Sequence, residues 1–468
     1  MDRLPEEILL HIFGFLDSTP PSELKARQEP TLHLTSSPEA PLKRACCVSK
    51  LWRRVGLPLL FSCTRLQLEC DVPPGATGSC WVCGLPANEE GLESEDVEKL
   101  HRELAKTACG PLVKCEDPIV EYQVPYRLIT YKELHKTISP EQMMAICALM
   151  FYHQLLDMLA FLERANLAKE VQSFVLLRGK MPSEQMDRLF TQLKSGWRHL
   201  GAAMFWRQLF SVMDPNRVAI VAPPRDLGFW TKTVVSALHE WAFPDMHFHS
   251  LELRRDTARI SSVASQLPQD NSAGSSRAVF PADIAKGILT IKPWTHLALN
   301  EGSFLKAYGT YEYFERGPPT LIYSITDLFA HHAVVLGSVR SFTYTGIFPF
   351  ANHARFTRIL PHVEELDCRF APDPDSGILD DKDRVGKAEL QDCWQELFTA
   401  HHELCSLLQT GRLEYPRLKK FVCGDARITG IQAELEHLFT PLCLPEWAEM
   451  EPGVFHRLIS PPSLSPEQ

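Results

Sequence analysis

One short pattern recurs along this chain and limits what it can fold into: an apolar residue, two others, an apolar residue, one other, and a further apolar residue. It occupies Cys63/Leu66/Leu68, Val171/Phe174/Leu176, Pro215/Val218/Ile220 and Phe248/Leu251/Leu253, with Pro215 standing in for the first apolar residue. It returns at Trp294/Leu297/Leu299, Val339/Phe342/Tyr344, Val363/Leu366/Cys368 and Leu418/Phe421/Cys423, the last two copies each preceded by a proline, Pro361 and Pro416. The alternation at the end of each copy is the period of a strand with one buried face. Between copies, Ser183 to Met213 and Lys387 to Gln409 carry helical spacing, the first through Met186, Leu189, Phe190, Leu193, Trp197, Leu200, Met204 and Leu209. Strands alternating with helices predict an α/β chain in which short parallel strands form one sheet and helices lie outside it.

At 468 residues the chain exceeds what one compact core holds, which favours several units or an extended array. The repeated pattern resembles the core of a leucine-rich repeat. From Phe174 onward its central positions lie 44, 33, 46, 45, 24 and 55 residues apart, so the array is irregular, with helices inserted between strands. The expected organisation is a unit at 1–62, a helical insertion at 63–165 that caps the array, the array itself at 166–455, and a disordered tail at 456–468. Helices are expected at about 93–108 and 140–164. Pro/Gly/acidic residues at 71–95, Ser/Ala at 257–282 and acidic residues at 371–384 read as loops.

The first sixty residues differ in character. Pro5 suits a first helical turn, and Glu6 and Glu7 complement the positive end of the helix dipole. Leu4, Ile8, Leu9, Ile12, Phe13, Phe15 and Leu16 then form an apolar stripe too wide for one shallow contact. Pro41 opens a second helix with apolar positions Leu42, Ala45, Cys46, Val48, Leu51, Trp52 and Val55, closed by Gly56 and Pro58. Short helices this apolar bury too little surface to stand alone, and an exposed patch of this kind marks a partner surface.

This segment resembles an F-box. Leu4, Pro5 and Glu7 match the family's opening, Ile8, Leu9, Ile12 and Leu16 its helical apolar positions, and Val48, Ser49, Lys50 and Trp52 its later signature. The resemblance implies that these residues bind the Skp adaptor and through it a cullin, while the remaining chain captures a protein substrate. The family joins the two halves by a few residues; here Ser18 to Ala40 intervene, rich in Pro, Ser and Thr, and read as a flexible loop. The whole layout is similar to fungal F-box proteins with degenerate leucine-rich repeats.

Residues flanking the buried strand positions would face outward along one concave surface: Glu252, Arg254, His296, Asn300, Thr343, Glu365, Asp367, Arg369 and Lys420 are the expected substrate contacts. A formal net charge of −10 with no basic stripe argues against a nucleic-acid partner. The acidic start does not suit a secretory signal, and Met143 to Leu162, broken by His153, Gln154 and Asp157, reads as a buried helix rather than a membrane span. A cytoplasmic or nuclear location follows, with the 14 cysteines as reduced thiols. Cys80 and Cys83 resemble half of a zinc knuckle, with Cys109 and Cys115 or Cys63 and Cys70 as completing pairs. Ordinary loop cysteines are the plainer reading, so neither metal nor cofactor is expected.

No phosphate-binding loop, nucleophile elbow, dinucleotide fingerprint or HExxH zinc motif occurs. His239, His247 and His249, with Asp226 and Glu240 nearby, come closest to a catalytic cluster, and a surface loop explains them more simply. The chain is therefore expected to be a non-catalytic substrate receptor of a ubiquitin ligase. The alternative is a leucine-rich-repeat scaffold acting outside any ligase.

Overall fold

A computed structural model describes residues 4–16, 19–35, 41–68, 154–179, 195–236, 238–256, 287–331, 337–354, 356–410, 414–443 and 446–458. Each of the eight sequence patterns falls on a strand: β1 (Cys63–Leu68), β2 (Ser173–Arg178), β3 (Arg217–Ala222), β4 (His249–Arg254), β5 (His296–Ser303), β6 (Ser341–Ile347), β7 (Glu365–Arg369) and β8 (Lys420–Cys423). They join one ten-stranded sheet in chain order, closed by a hairpin of β9 (Trp447–Glu451) and β10 (Val454–Arg457) in the order β8-β10-β9. Gly453 turns that hairpin at φ +74, where a Cβ would lie 2.5 Å from the Cys423 carbonyl oxygen, so only glycine fits.

The sheet is not parallel throughout. β4 runs antiparallel to both β3 and β5, with Ala222 opposite His249 and Arg254 opposite His296. Between β3 and β4 the chain makes the eight-residue helix Pro224–Thr231, stopped by Lys232 at φ 60, and a 3-10 turn, Glu240–Ala242. Eight helical residues rise about 12 Å, against about 20 Å for a six-residue strand, so this helix does not return the chain to the starting edge. The chain instead re-enters from the end at which it left, and an antiparallel partner needs no crossover.

One face of the sheet carries the main core. Phe174, Leu176, Val218, Ile220, Leu251, Leu253, Leu297, Leu299, Phe342, Tyr344, Leu366 and Phe421 are all buried against the helices Ser195–Val212 and Leu390–Thr410 and their neighbours. Trp206 sits fully buried beside Phe174, Phe205 and Trp230, and its indole N–H donates to the Trp230 carbonyl at 2.8 Å. β1 is the sheet's edge strand, paired in parallel with β2, and Leu155, Leu159 and Leu162 of a helix at 154–164 enter the same core. Of the insertion expected at 63–165, β1 thus belongs to the sheet and the helix at 154–164 packs on the sheet's core. The insertion's remaining residues, including the helix expected at 93–108 and Cys70, Cys80, Cys83, Cys109 and Cys115, lie outside the described residues. β10 runs to Arg457, across the boundary at 455 expected for the array.

Residues 19–35, read from sequence as a flexible loop, are laid across the opposite face of the sheet. They contain the short helix Pro21–Leu24 and a 3-10 turn, Leu32–Thr35. Leu34 is buried against Val175, Leu177, Ala219 and Val221, with Leu32 beside it. The Arg217 guanidinium donates to the Ser22 hydroxyl and carbonyl, both at 3.0 Å. The Asn300 side-chain amide donates to the Ala26 and Gln28 carbonyls, and Arg27 pairs with Asp367. The segment forms a strap that runs from β3 out to β7 and back to β2. β2 is accordingly buried at every position, on both faces.

Candidate functional site

Among the described residues, the expected sites fall on two surfaces, the N-terminal helices and the strapped face of the sheet. In the first, α1 (Glu6–Leu16) packs on α3 (Pro41–Ala45) and α4 (Lys50–Leu60), with α2 (Pro21–Leu24) belonging to the strap between them. The second helix expected from Pro41 is broken by a turn at Cys46–Val48, where Ser49, in extended geometry, caps α4 by accepting from the Trp52 N–H at 3.2 Å. α4 does not end at Gly56 or Pro58; it continues to Leu60. Gly56 is needed for close approach, since a Cβ there would lie 2.6 Å from the Cys46 sulfur and 3.3 Å from the Phe13 ring.

α1 has two apolar stripes. Leu9 and Phe13 point inward onto Leu42, Ala45 and Val55, with Leu16, Leu51 and Trp52 at the margin and the Phe13 and Trp52 rings edge to face at 5.2 Å. The helical period gathers Ile8, Ile12 and Phe15 on the other stripe, with Leu4 just before the helix, and all four are exposed, Phe15 by 79%. Val48, on the turn before α4, is 63% exposed. Pro5, Glu7 and Lys50 are exposed beside them, and Arg54 pairs with Glu6 to hold α1 against α4. Of the residues expected to bind an adaptor, Leu9 therefore serves the module's own core, Ser49 caps a helix, and Leu16 and Trp52 are half-buried. Phe15 and Leu10 are exposed apolar residues that the sequence motif does not include.

Residues 1–62 match the F-box-like family model. The chain carries an F-box-like domain. No curated protein and no solved structure matches the chain. The sheet is interpreted from its own geometry.

The strap that leaves the F-box-like domain after α1 and rejoins it before α3 encloses a cleft of ≈ 300 Å³ against the sheet. Most of the expected substrate contacts line it, and most have partners within the chain. Glu252 is buried beneath Arg217, whose Nη2 lies 2.6 Å from its carboxylate, and Arg254 pairs with the same carboxylate. Burial alone would raise the Glu252 carboxyl; Arg217 and Arg254 outweigh it and hold it below the ordinary value. Asn300 and Asp367 hold the strap, and Arg369 reaches Asp373 at 3.4 Å. Thr343, Glu365 and Lys420 stand half-buried on the face.

His296 lies in this cleft with its Nδ1 3.0 Å from the Ser341 hydroxyl. Burial lowers its pKa to about 4, against the partial pull of Glu252 and Glu365 and with the push of Arg254 and Arg27. An unfolded histidine titrates near ~6.5. Between these values the unfolded chain binds a proton that the folded chain refuses, so His296 costs stability as pH falls from about 6.5 towards 4. We expect His296→Gln to flatten the fall of urea-unfolding free energy across that window; an unchanged slope would overturn the assignment.

Two of the histidines that came nearest to a catalytic cluster bond to the backbone of 317–319. His249 is a fully buried strand residue bonded to the Pro319 carbonyl at 2.7 Å, correcting its assignment to a surface loop. His239 accepts from the Gly317 N–H, Asp226 faces Arg178 and Glu240 pairs with Arg225. Among the described residues, His401, Cys423 and Asp425 have the make-up of a metal-binding group. Their donors are engaged internally: the Asp425 carboxylate accepts from the Phe370 and Ala371 N–H groups and lies 3.0 Å from His401 Nε2, and Cys423 Sγ lies 4.0 Å from His401 Nδ1. Burial pushes the Cys423 thiol well above its ordinary pKa, which favours a protonated packing residue. Among the described residues no helix is long and apolar enough to cross a membrane.

Proposed function

We propose that this chain is the substrate-recognition subunit of a Skp/cullin/F-box ubiquitin ligase. Its F-box-like domain docks the Skp adaptor, and through it a cullin, while the sheet presents a protein substrate. It is a non-catalytic adaptor, with ubiquitin transfer performed by partner subunits and this chain contributing proximity and orientation. The observation that carries the reading is the exposed stripe Ile8, Ile12 and Phe15 on α1, with Leu4 just before it, in a domain that matches the F-box-like model. Such a stripe on a folded module, whose own core is already filled by Leu9 and Phe13, is surface held ready for a partner. Leu4, Pro5, Glu7, Ile8, Ile12, Val48 and Lys50 are the proposed contacts. Chain-ordered strands with outer helices are read here as an irregular leucine-rich-repeat-like array, and Thr343, Glu365, Arg369 and Lys420 as the more accessible part of the substrate face.

Calorimetric titration of the full chain with a Skp adaptor tests this. We expect tight binding by wild type and binding weakened about 100-fold or more in Leu4→Ala/Pro5→Ala/Ile8→Ala, since truncated interface anchors each cost more than about 1 kcal/mol. These side chains are exposed, so the variant should keep its circular dichroism spectrum. A folded wild-type chain that binds no adaptor would sink the receptor reading and leave a scaffold acting outside a ligase.

A further inference from the structure

Two sheet residues, Asn300 and Asp367, grip the strap around Arg27. Asn300 Nδ2 donates to the two main-chain carbonyls flanking Arg27, Ala26 O at 3.0 Å and Gln28 O at 2.7 Å. Asn300 Oδ1 accepts from the Gly302 N–H at 3.0 Å, which fixes the amide with its NH2 towards the strap. The Arg27 guanidinium meanwhile pairs with Asp367 Oδ2, while Asp367 Oδ1 is buried with no hydrogen-bond partner. Gly424 leaves the slot open, because a Cβ there would come within 3.3 Å of Arg27 Nη1. One amide thus reads the backbone on either side of an arginine, and one carboxylate reads its side chain.

The middle of the strap is also partly exposed. The Arg27 side chain is 43% exposed and Leu24 67%, whereas Ser22 and Leu34 at the two ends are buried. Glu29 makes a further tie, to Arg384. Beneath the strap lies the ≈ 300 Å³ cleft, bordered by Ser250, Thr343 and Thr345 as well as by the arginine-holding groups. The strap therefore fills the arginine position and not the face around it.

We propose that Asn300, Asp367 and Gly424 form an arginine-reading subsite, filled in cis by Arg27, and that a protein partner docks by placing an arginine-bearing segment there in the strap's stead. This names the substrate class of the face and rests on its reading as the substrate-binding surface. A tethered segment acts at a high effective concentration, so an external peptide binds the wild-type chain weakly until the internal arginine is withdrawn.

The probe is a blocked, dye-labelled peptide with the sequence of residues 21–34, titrated into the full chain by fluorescence anisotropy. The Arg27→Ala chain is expected to bind it about tenfold more tightly than wild type, as removal of a competing internal ligand requires. Replacing the peptide's own arginine by alanine or lysine, or adding Asp367→Asn to the Arg27→Ala chain, should remove that gain. In a second measurement, Asp367→Asn alone should speed tryptic cleavage after Arg27 severalfold. Equal binding by the two chains, binding indifferent to the peptide's arginine, or unchanged cleavage would each overturn the proposal and make the strap a fixed packing element. Neither readout involves the adaptor, so such a failure leaves the docking function of the F-box-like domain standing.

Discussion

Glu301→Ala is expected to lower the unfolding free energy by about 3–5 kcal/mol, the usual cost of removing one partner from a buried ionic network. Glu301 lies on β5 with no exposure, and it accepts from His353 Nε2 at 2.7 Å, from the Tyr344 hydroxyl at 2.8 Å and from Thr320. The variant leaves those donors facing a cluster that includes Phe304 and Phe350, where water does not replace the lost acceptor. Burial would raise the Glu301 carboxyl, but His353 and the hydrogen bonds outweigh it and bring the pKa down to about 2. A carboxyl depressed in the folded state stabilises fully above its unfolded value and loses that contribution as pH falls. The window therefore runs from about 4.5 down to about 2. Urea titrations across it should show wild type losing stability more steeply than Glu301→Gln; parallel curves would mean that the carboxylate's charge does not hold the network together.

The strands were legible because alternation at Phe174/Leu176 or Leu366/Cys368 records which face is buried, a local property of the residues themselves. Strand direction was not: the pattern at Leu251 and Leu253 reads the same in either sense, and only the pairing with β3 and β5 fixes it. In the F-box-like domain, Ile8 and Leu9 are equally apolar, and only packing against Leu42, Ala45 and Val55 separates the inward residue from the exposed one. The strap was hidden because its composition is that of a loop. It is held by single side chains meeting backbone groups more than 270 residues away, as Asn300 meets Ala26 and Gln28. One signal was available. Phe174 to Leu177 and Val218 to Ala222 are unbroken apolar runs, which in a sheet means cover on both faces. The outward residues nominated from Glu252 onward began just beyond those strands, where polar side chains alternate again.

Arg217→Ala is expected to cost about 3 kcal/mol, less than the Glu301 change because Glu252 keeps Arg254 as a second cation. Arg217 is 5% exposed and serves four acceptors: the Glu252 carboxylate at 2.6 Å, the Ser173 hydroxyl at 2.9 Å, and the Ser22 hydroxyl and carbonyl. Those acceptors belong to β2, β4 and the strap, so one guanidinium ties three chain segments to β3. Arg217→Met/Glu252→Met should recover much of the loss, since well-packed apolar replacements avoid the desolvation of both charges. It should not restore the tie to Ser22. The two variants therefore separate electrostatic cost from strap anchoring: urea unfolding should rank the double variant above Arg217→Ala, while tryptic cleavage at Lys25 should be accelerated in both. Recovery of stability together with wild-type protection of Lys25 would show that Leu34 and Asn300 hold the strap without Arg217.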